Sequence, residues 1–180
     1  IDHMFDCPQN SREEEMFCIP EWAKNKIVYQ IFPSRFASSK QIPEEIWYNK
    51  PIGHKENLQG DLKGIVQRLP YLKDLGIDII YLTPIFASDS THKYDTIDYY
   101  QIDPSFGTKE DLQNLVQTAH AMGMKVILDA VFNHTSTKFF AFEDIRRNQE
   151  ASAYRDWYFI EEFPLRKGSR MEKPNYKSFS

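Results

Sequence analysis

Within six residues, Asp129-Ala130-Val131-Phe132-Asn133-His134, the chain gathers a carboxylate, an amide and an imidazole. Asp129 lies near the end of residues 125–131 (KVILDAV), an apolar run that reads as a buried strand. Strands turn alternate side chains to one side, so Ile127, Asp129 and Val131 share a face. A charge there needs partners, because burying it alone is costly or forces protonation. Two readings stay open. Asp129 ties down loop backbone and His134 is a solvated loop residue, or Asn133 and His134 are aimed into a cleft. A second stretch, residues 92–108 (HKYDTIDYYQIDPSFGT), mixes tyrosines with carboxylates. Carbohydrate sites need aromatic faces against apolar C–H faces of the sugar, and carboxylates or amides for its hydroxyls. Tyr94-Asp95 and Asp98-Tyr99 supply that mixture. A loop packed by its own tyrosines, with Asp103-Pro104 as turn chemistry, explains the same residues.

The elements that must position these residues alternate. Residues 27–32 (IVYQIF), 77–83 (IDIIYLT) and 125–131 read as parallel strands, apolar on both faces. Residues 108–122 form a helix with apolar Leu112, Leu115, Val116, Ala119 and Met122, a capping box from Thr108 to Asp111, and a stop at Gly123. Residues 61–75 carry Leu62, Ile65, Val66, Leu69 and Leu72, but Pro70 argues for a short helix followed by a second one. The order β-α-β-α-β without a hairpin signal predicts an α/β fold with a parallel sheet. Helix returns to strand through minimal turns at Gly76 and Gly123, whereas residues 33–60, 84–107 and 132–180 are long insertions. All elaboration thus sits at the carboxyl ends of the strands, the edge that carries active sites in parallel α/β folds.

Composition bounds the function. Lys+Arg 22 against Asp+Glu 26 gives a net charge of −4, with no basic field for nucleic acid. No apolar run reaches the roughly 18 residues of a membrane span, and no export signal opens the chain, which leads to a cytoplasmic expectation. Cys7 and Cys18 make neither a disulfide framework nor a metal knuckle. Nucleotide loops and nucleophile elbows are missing. His92, Asp95, Asp129 and His134 have residue types that suit zinc, but nothing in their spacing argues for it. Residues 134–180 are rich in aromatics, including Tyr154, Trp157, Tyr158 and Phe159. Most are expected in the core of a small subdomain, with a stacking role as the alternative.

Several segments together carry a resemblance. They are residues 27–36 (IVYQIFPSRF), Gly60-Asp61-Leu62-Lys63-Gly64-Ile65, 71–84 (YLKDLGIDIIYLTP), 92–107 and 129–134 (DAVFNH). From about residue 20 onward the sequence resembles the α-amylase superfamily of glycoside hydrolases, in particular the neopullulanase, cyclomaltodextrinase and maltogenic amylase group. Tyr154-Arg155-Asp156-Trp157-Tyr158 and Pro174-Asn175-Tyr176-Lys177-Ser178-Phe179 resemble that group's smaller inserted domain.

The resemblance implies a TIM (β/α)8 barrel, of which this chain supplies the first three βα units and part of the subdomain inserted after the third strand. A whole barrel takes about 250 residues. Residues 1–25 are then a linker from a preceding domain, 26–132 the first part of the barrel, and 133–180 the start of the inserted domain. The implied activity is retaining cleavage of α-1,4 and also α-1,6 glucosidic bonds in cyclodextrins, pullulan or starch. Retention needs nucleophile and acid about 5–5.5 Å apart. In the family the three catalytic carboxylates follow strands four, five and seven, so they are expected after Ser180 and the chain alone is expected to be inactive.

What maps onto this chain is the sugar-holding part. His134 matches an imidazole that binds sugar hydroxyls, Tyr94 an aromatic platform, and Asp95 accompanies them as a substrate contact. Asp129 matches a carboxylate that orders the cleft floor, not the nucleophile, and Asn133 a loop-fixing amide. Several relatives hold calcium after the first strand. Here the matching loop, residues 38–45 (SSKQIPEE), puts Lys40 among the ligands, and calcium wants six to eight oxygens. The site near Ser38, Gly60 and Asp61 is expected to be absent or weak, and no other cofactor is expected. The implied partner is an α-glucan oligosaccharide or cyclodextrin, with no nucleic acid or membrane, and a homodimer of the full-length enzyme. Glucan transfer or sugar isomerisation on the same scaffold, or a non-catalytic carbohydrate-binding module, are the alternatives. The residues beyond Ser180 would discriminate them.

Overall fold

The computed structural model describes residues 19–41, 43, 58–166 and 175–176. In chain order the elements are β1 (Val28–Ile31), α1 (Pro33–Phe36), α2 (Leu62–Asp74), β2 (Ile79–Leu82) and β3 (Phe86–Ala87). They continue with β4 (Asp98–Ile102), α3 (Lys109–Ala121), β5 (Lys125–Leu128) and α4 (Phe140–Asn148). Three strands pair in parallel, in the order β1-β2-β5. Ile80 stands between Tyr29 and Val126, and Leu82 between Ile31 and Leu128. These rows face the helices and join Leu62, Ile65, Leu69, Leu72, Leu115 and Ala119 in one core.

The alternate rows, Val28-Ile79-Lys125 and Gln30-Tyr81-Ile127, face away from that core. Val28, Gln30 and Ile127 are exposed there. The expectation of strands buried on both faces therefore holds for β2 but not for β1 and β5. Both are outer strands of this sheet, and α2 and α3 cover only one side of it. β5 is also shorter than its apolar run. Its ladder extends through the Asp129 N–H, 3.0 Å from the Leu82 carbonyl, and the chain then leaves the sheet.

Helix α2 corrects a second expectation, because it runs unbroken through Pro70. A helix-interior proline costs about 3 kcal/mol. Burial of Leu62, Ile65, Leu69 and Leu72 on one face stabilises by roughly 1.5–3 kcal/mol per side chain. The core term wins, and Pro70 sits on the exposed side, where a bend is tolerated. Asp61 caps this helix by accepting from the Gly64 N–H at 2.6 Å. On α3 the capping box reads as its residues predict, with Thr108 and Asp111 bonded reciprocally. Both helices turn back to the sheet through left-handed glycines, Gly76 at φ +83° and Gly123 at φ +78°.

The third correction concerns the insertion after β2. It contains an antiparallel pair, β3 with β4, despite the absence of a hairpin signal. At its base, Lys93 and Asp103 form a buried ion pair of 2.7 Å. Burial works to raise the Asp103 carboxyl, but the Lys93 ammonium and Ser105 outweigh it and hold the group below its ordinary value of 3.8. Lys93 Nζ also donates to the Ser88 carbonyl at 3.0 Å. Its backbone is left-handed, at φ +64°. That turn sends the Lys93 side chain down into the loop while its neighbours His92 and Tyr94 line the cleft described next.

Candidate functional site

A cleft of about 880 Å³ opens above the carboxyl ends of β2 and β5. Tyr94, Asp95, Asn133 and His134, four of the residues singled out from sequence, all line it. Asp129 lies beside it at the end of β5. Its Oδ2 accepts from the Tyr94 hydroxyl at 3.0 Å and from the Tyr81 hydroxyl at 2.8 Å. The buried-strand carboxylate thus finds its partners in two phenols, one from the loop and one from β2. Partial burial, then the bond to Asp129 and its charge, push the Tyr94 phenol up to about 12. Tyr94 is therefore a neutral hydrogen-bond donor throughout the physiological range.

The rest of the loop is braced from within. Asp95 Oδ1 accepts from Ser88 Oγ at 2.5 Å and also from Ser90 Oγ. Burial works to raise the Asp95 carboxyl, but these two hydroxyls outweigh it and hold the group below 3.8. One oxygen of Asp95 is thereby committed to the loop, so the residue shapes the cleft as well as lining it. His92 Nδ1 accepts from the Tyr94 backbone N–H at 3.1 Å, which leaves the ring proton on Nε2. Across the cleft, Asn133 Nδ2 stands 3.4 Å from His134 Nδ1. The His134 carbonyl accepts from Tyr99 Oη at 3.3 Å, and the same hydroxyl donates to the Val131 carbonyl.

Aromatic side chains form the outer wall, and here the sequence expectation needs correcting. Trp157 is 62% exposed, Phe159 77% and Phe132 82%, so these three are rim residues and not core. Tyr158 differs. Its hydroxyl lies 2.9 Å from Thr135 Oγ1, and its ring packs edge-on against Phe142 at 5.1 Å. Composition signalled aromatic enrichment in this region, but not which rings would face outward. Asn175 anchors the far end of the wall. Its amide donates to the carbonyls of Glu162 at 2.9 Å and Pro164 at 3.0 Å, while its Oδ1 accepts from the Arg166 N–H at 2.6 Å. The adjacent Tyr176 bridges to Ile160 and also lines the cleft.

His92, Phe132, Phe139, Phe142 and Tyr176 are among the lining residues that sequence reasoning did not assign to the site. For His92 a signal existed, since it stands two positions before Tyr94 in the same loop.

The donor set for a metal is poor among the described residues. No group of three or more His, Cys, Asp or Glu side chains comes together there. At the calcium position suggested by the resemblance, both Asp61 oxygens are already engaged. Oδ1 accepts from the N–H groups of Gly64 and Ser39, and Oδ2 from Ser39 Oγ at 2.7 Å. Residues 42, 44 and 45 of that loop lie outside the described residues, as do residues 1–18 with both cysteines, and 177–179. No described helix is long and apolar enough to cross a membrane.

Comparison with known proteins adds three findings. A family model described as "Alpha amylase, catalytic domain" matches residues 30–180. The chain is 50% identical to neopullulanase 2 of Thermoactinomyces vulgaris and 49% identical to cyclomaltodextrinase of Thermoanaerobacter pseudethanolicus. These matches cover 92% and 93% of the chain, which spans 29% of the length of each relative. Among solved structures, a cyclic alpha-maltosyl-(1→6)-maltose hydrolase from Arthrobacter globiformis in complex with maltose matches with a TM-score of 0.78 at 36% identity. That match covers 89% of this chain and 37% of the other.

Proposed function

The chain belongs to the alpha-amylase catalytic-domain family, and on that premise we propose that it forms the glucan-holding part of a retaining glycoside hydrolase. In this reading the substrates carry α-1,4 and also α-1,6 glucosidic bonds, as in cyclodextrins, pullulan or starch. The observation that carries the reading is the convergence of Tyr94, Asp95, Asn133 and His134 on one cleft, with Tyr94 bonded to Asp129. An aromatic face flanked by a carboxylate, an amide and an imidazole suits a pyranose, whose C–H faces are apolar and whose edge is a ring of hydroxyls. The open aromatic rim of Phe132, Trp157 and Phe159 suits the further units of an oligosaccharide.

Within the same proposal, β1, β2 and β5 are the first three strands of a (β/α)8 barrel, and residues from 133 onward begin the inserted domain. Tyr94 supports the sugar at the cleavage point and His134 hydrogen-bonds its hydroxyls. Asp129 orders Tyr94 through the bond its Oδ2 accepts from the Tyr94 hydroxyl, and by its place in the family pattern it is not the nucleophile. No residue of this chain is assigned as nucleophile, general acid or transition-state stabiliser. The chain is therefore proposed to be inactive alone.

The experiment is a pair of assays on cyclodextrin, pullulan and starch. The intact protein is expected to hydrolyse at least one of them and release the α-anomer first, read by NMR during early turnover. Purified residues 1–180, with folding checked by circular dichroism, are expected to show no turnover. Release of the β-anomer by the intact protein, or hydrolysis by residues 1–180, would each overturn its half of the proposal.

We propose further that Asp61 serves packing and capping in place of calcium. Adding calcium to chelator-treated protein is expected to leave the unfolding temperature unchanged. An increase of several degrees would refute this, since a ligand that binds only the native state stabilises it by mass action.

A further inference from the structure

Tyr81 is a tyrosine in the middle of an apolar strand, where a ring usually serves only to fill the core. Its place is different. It lies on the face of β2 turned away from α2 and α3, in the row Gln30-Tyr81-Ile127. Asp129 follows two residues after Ile127 on the same face, within reach of the Tyr81 hydroxyl. Asp129 Oδ2 accepts from Tyr81 at 2.8 Å and from Tyr94 at 3.0 Å, so two phenols converge on one oxygen. Tyr81 is not among the residues that line the cleft. Whatever it does for a bound ligand must pass through Asp129.

We propose that Tyr81 is a positioning residue which, through Asp129, sets the ring of Tyr94 as a sugar platform. The proposal deepens the glucan reading above and rests on it.

Three features support the assignment. Asp129 stands just past the last assigned residue of β5, where the ladder ends, so the carboxylate needs a fixed donor to hold one rotamer. Tyr81 supplies that donor from β2, the central strand, paired on both sides. Tyr94 in turn belongs to a loop braced at its base by the Lys93–Asp103 pair. Its hydroxyl bond to Asp129 ties the tip of the ring to the sheet. Stacking depends on the tilt of the ring face, and a tether at its far end fixes that tilt before a ligand arrives. The bond to Asp129, then burial, raise the Tyr81 phenol, which keeps it a donor.

The test uses Tyr81→Phe, Tyr94→Phe and the double variant in the intact protein. Each removes a hydroxyl and keeps the ring, so the fold is retained, and thermal unfolding checks this. The first readout is ¹³C relaxation of the Tyr94 ring in ligand-free protein. Tyr81→Phe is expected to make that ring more mobile. The second is affinity for the non-hydrolysable sulfur-linked analogues of maltohexaose and β-cyclodextrin by calorimetry. Tyr81→Phe is expected to weaken binding about fivefold, the scale of one lost hydrogen bond. In the Tyr94→Phe background the same change is expected to cost nothing further, because the path through Asp129 is already cut. A ring of unchanged mobility, or effects that multiply in the double variant, would overturn the proposal. Should the parent protein bind neither sugar, the glucan reading falls, and the relaxation arm still decides whether Tyr81 orders Tyr94.

Discussion

Alanine at Gly64 is expected to destabilise the protein by about 2 kcal/mol net, with the clash itself at about 3, the upper range for forcing volume into a packed site. A Cβ there would stand 2.5 Å from the Ala37 carbonyl carbon, 2.7 Å from the Ser38 nitrogen, and closer still to the Ala37 oxygen. All are backbone atoms and cannot rotate aside. The surrounding bonds hold them in place. The Ala37 carbonyl accepts from the Asp61 N–H at 2.9 Å, and the Ser34 carbonyl from the Gly60 N–H at 3.1 Å. Helix propensity works in the opposite direction, since alanine in a helix interior is favoured over glycine by about 1 kcal/mol. The clash exceeds that gain, and the net change is read as a lower unfolding temperature. Gly76→Ala is the control. Its site has open space around the added carbon but φ of +83°, so the cost there is the left-handed penalty of about 1–2 kcal/mol. If Gly64→Ala proved stabilising, the close approach of α2 to residues 37–38 would be wrong.

This packing changes how the Gly60-Asp61 pair is understood. Read as a sequence, the pair looks like part of a calcium site weakened by Lys40 in the matching loop. In the structure Gly60 is required because a side chain would collide with the Pro33 carbonyl oxygen, and Asp61 is required because it caps α2 and holds Ser39. Both residues have duties that no metal need explain.

Much of the architecture was legible for reasons that can be named. Residues 108–123 carried a helical period, a capping box and a terminal glycine, three signals that agree. The edge that holds the cleft was legible because insertions fell on one end of the strands and minimal turns on the other. What stayed hidden has equally specific causes. β3 is two residues long, Phe86–Ala87, and no period can be read from two residues. Pro70 is a strong local signal, but it says nothing of the four leucines and isoleucines that override it across α2. Tyr81 was invisible because a strand pattern distinguishes faces but not which ring tip will meet a carboxylate 48 residues away. Composition leads to an expectation that most aromatics of residues 134–180 are core, with stacking as the alternative, but it cannot say which rings face outward. Phe142 is buried while Trp157 and Phe159 are exposed.

His134→Ala is expected to lower kcat/KM on cyclodextrin or pullulan at least tenfold, which corresponds to about 1.4 kcal/mol of transition-state binding. The size follows from what the ring can offer. Asn133 Nδ2 stands 3.4 Å from Nδ1, and the tautomer that accepts this contact carries its proton on Nε2. The Tyr99 hydroxyl holds the His134 backbone by its carbonyl, so the ring is mounted on a fixed point of the loop. A donor that fixes one sugar hydroxyl sets the orientation of the ring carbon toward its attacking group, and that orientation matters only in the chemical step. The loss should therefore fall mainly on kcat, with KM changed less. His134→Asn, which keeps an amide donor on a shorter stem, is expected to recover part of the rate. Unchanged kinetics in His134→Ala would remove the residue from the site, and a loss confined to KM would reduce it to ground-state binding. Because Tyr94 is held through Asp129 and not through His134, its ring order in the ligand-free protein should be the same in both variants. The same relaxation measurement thus separates a lost sugar contact from a collapsed cleft.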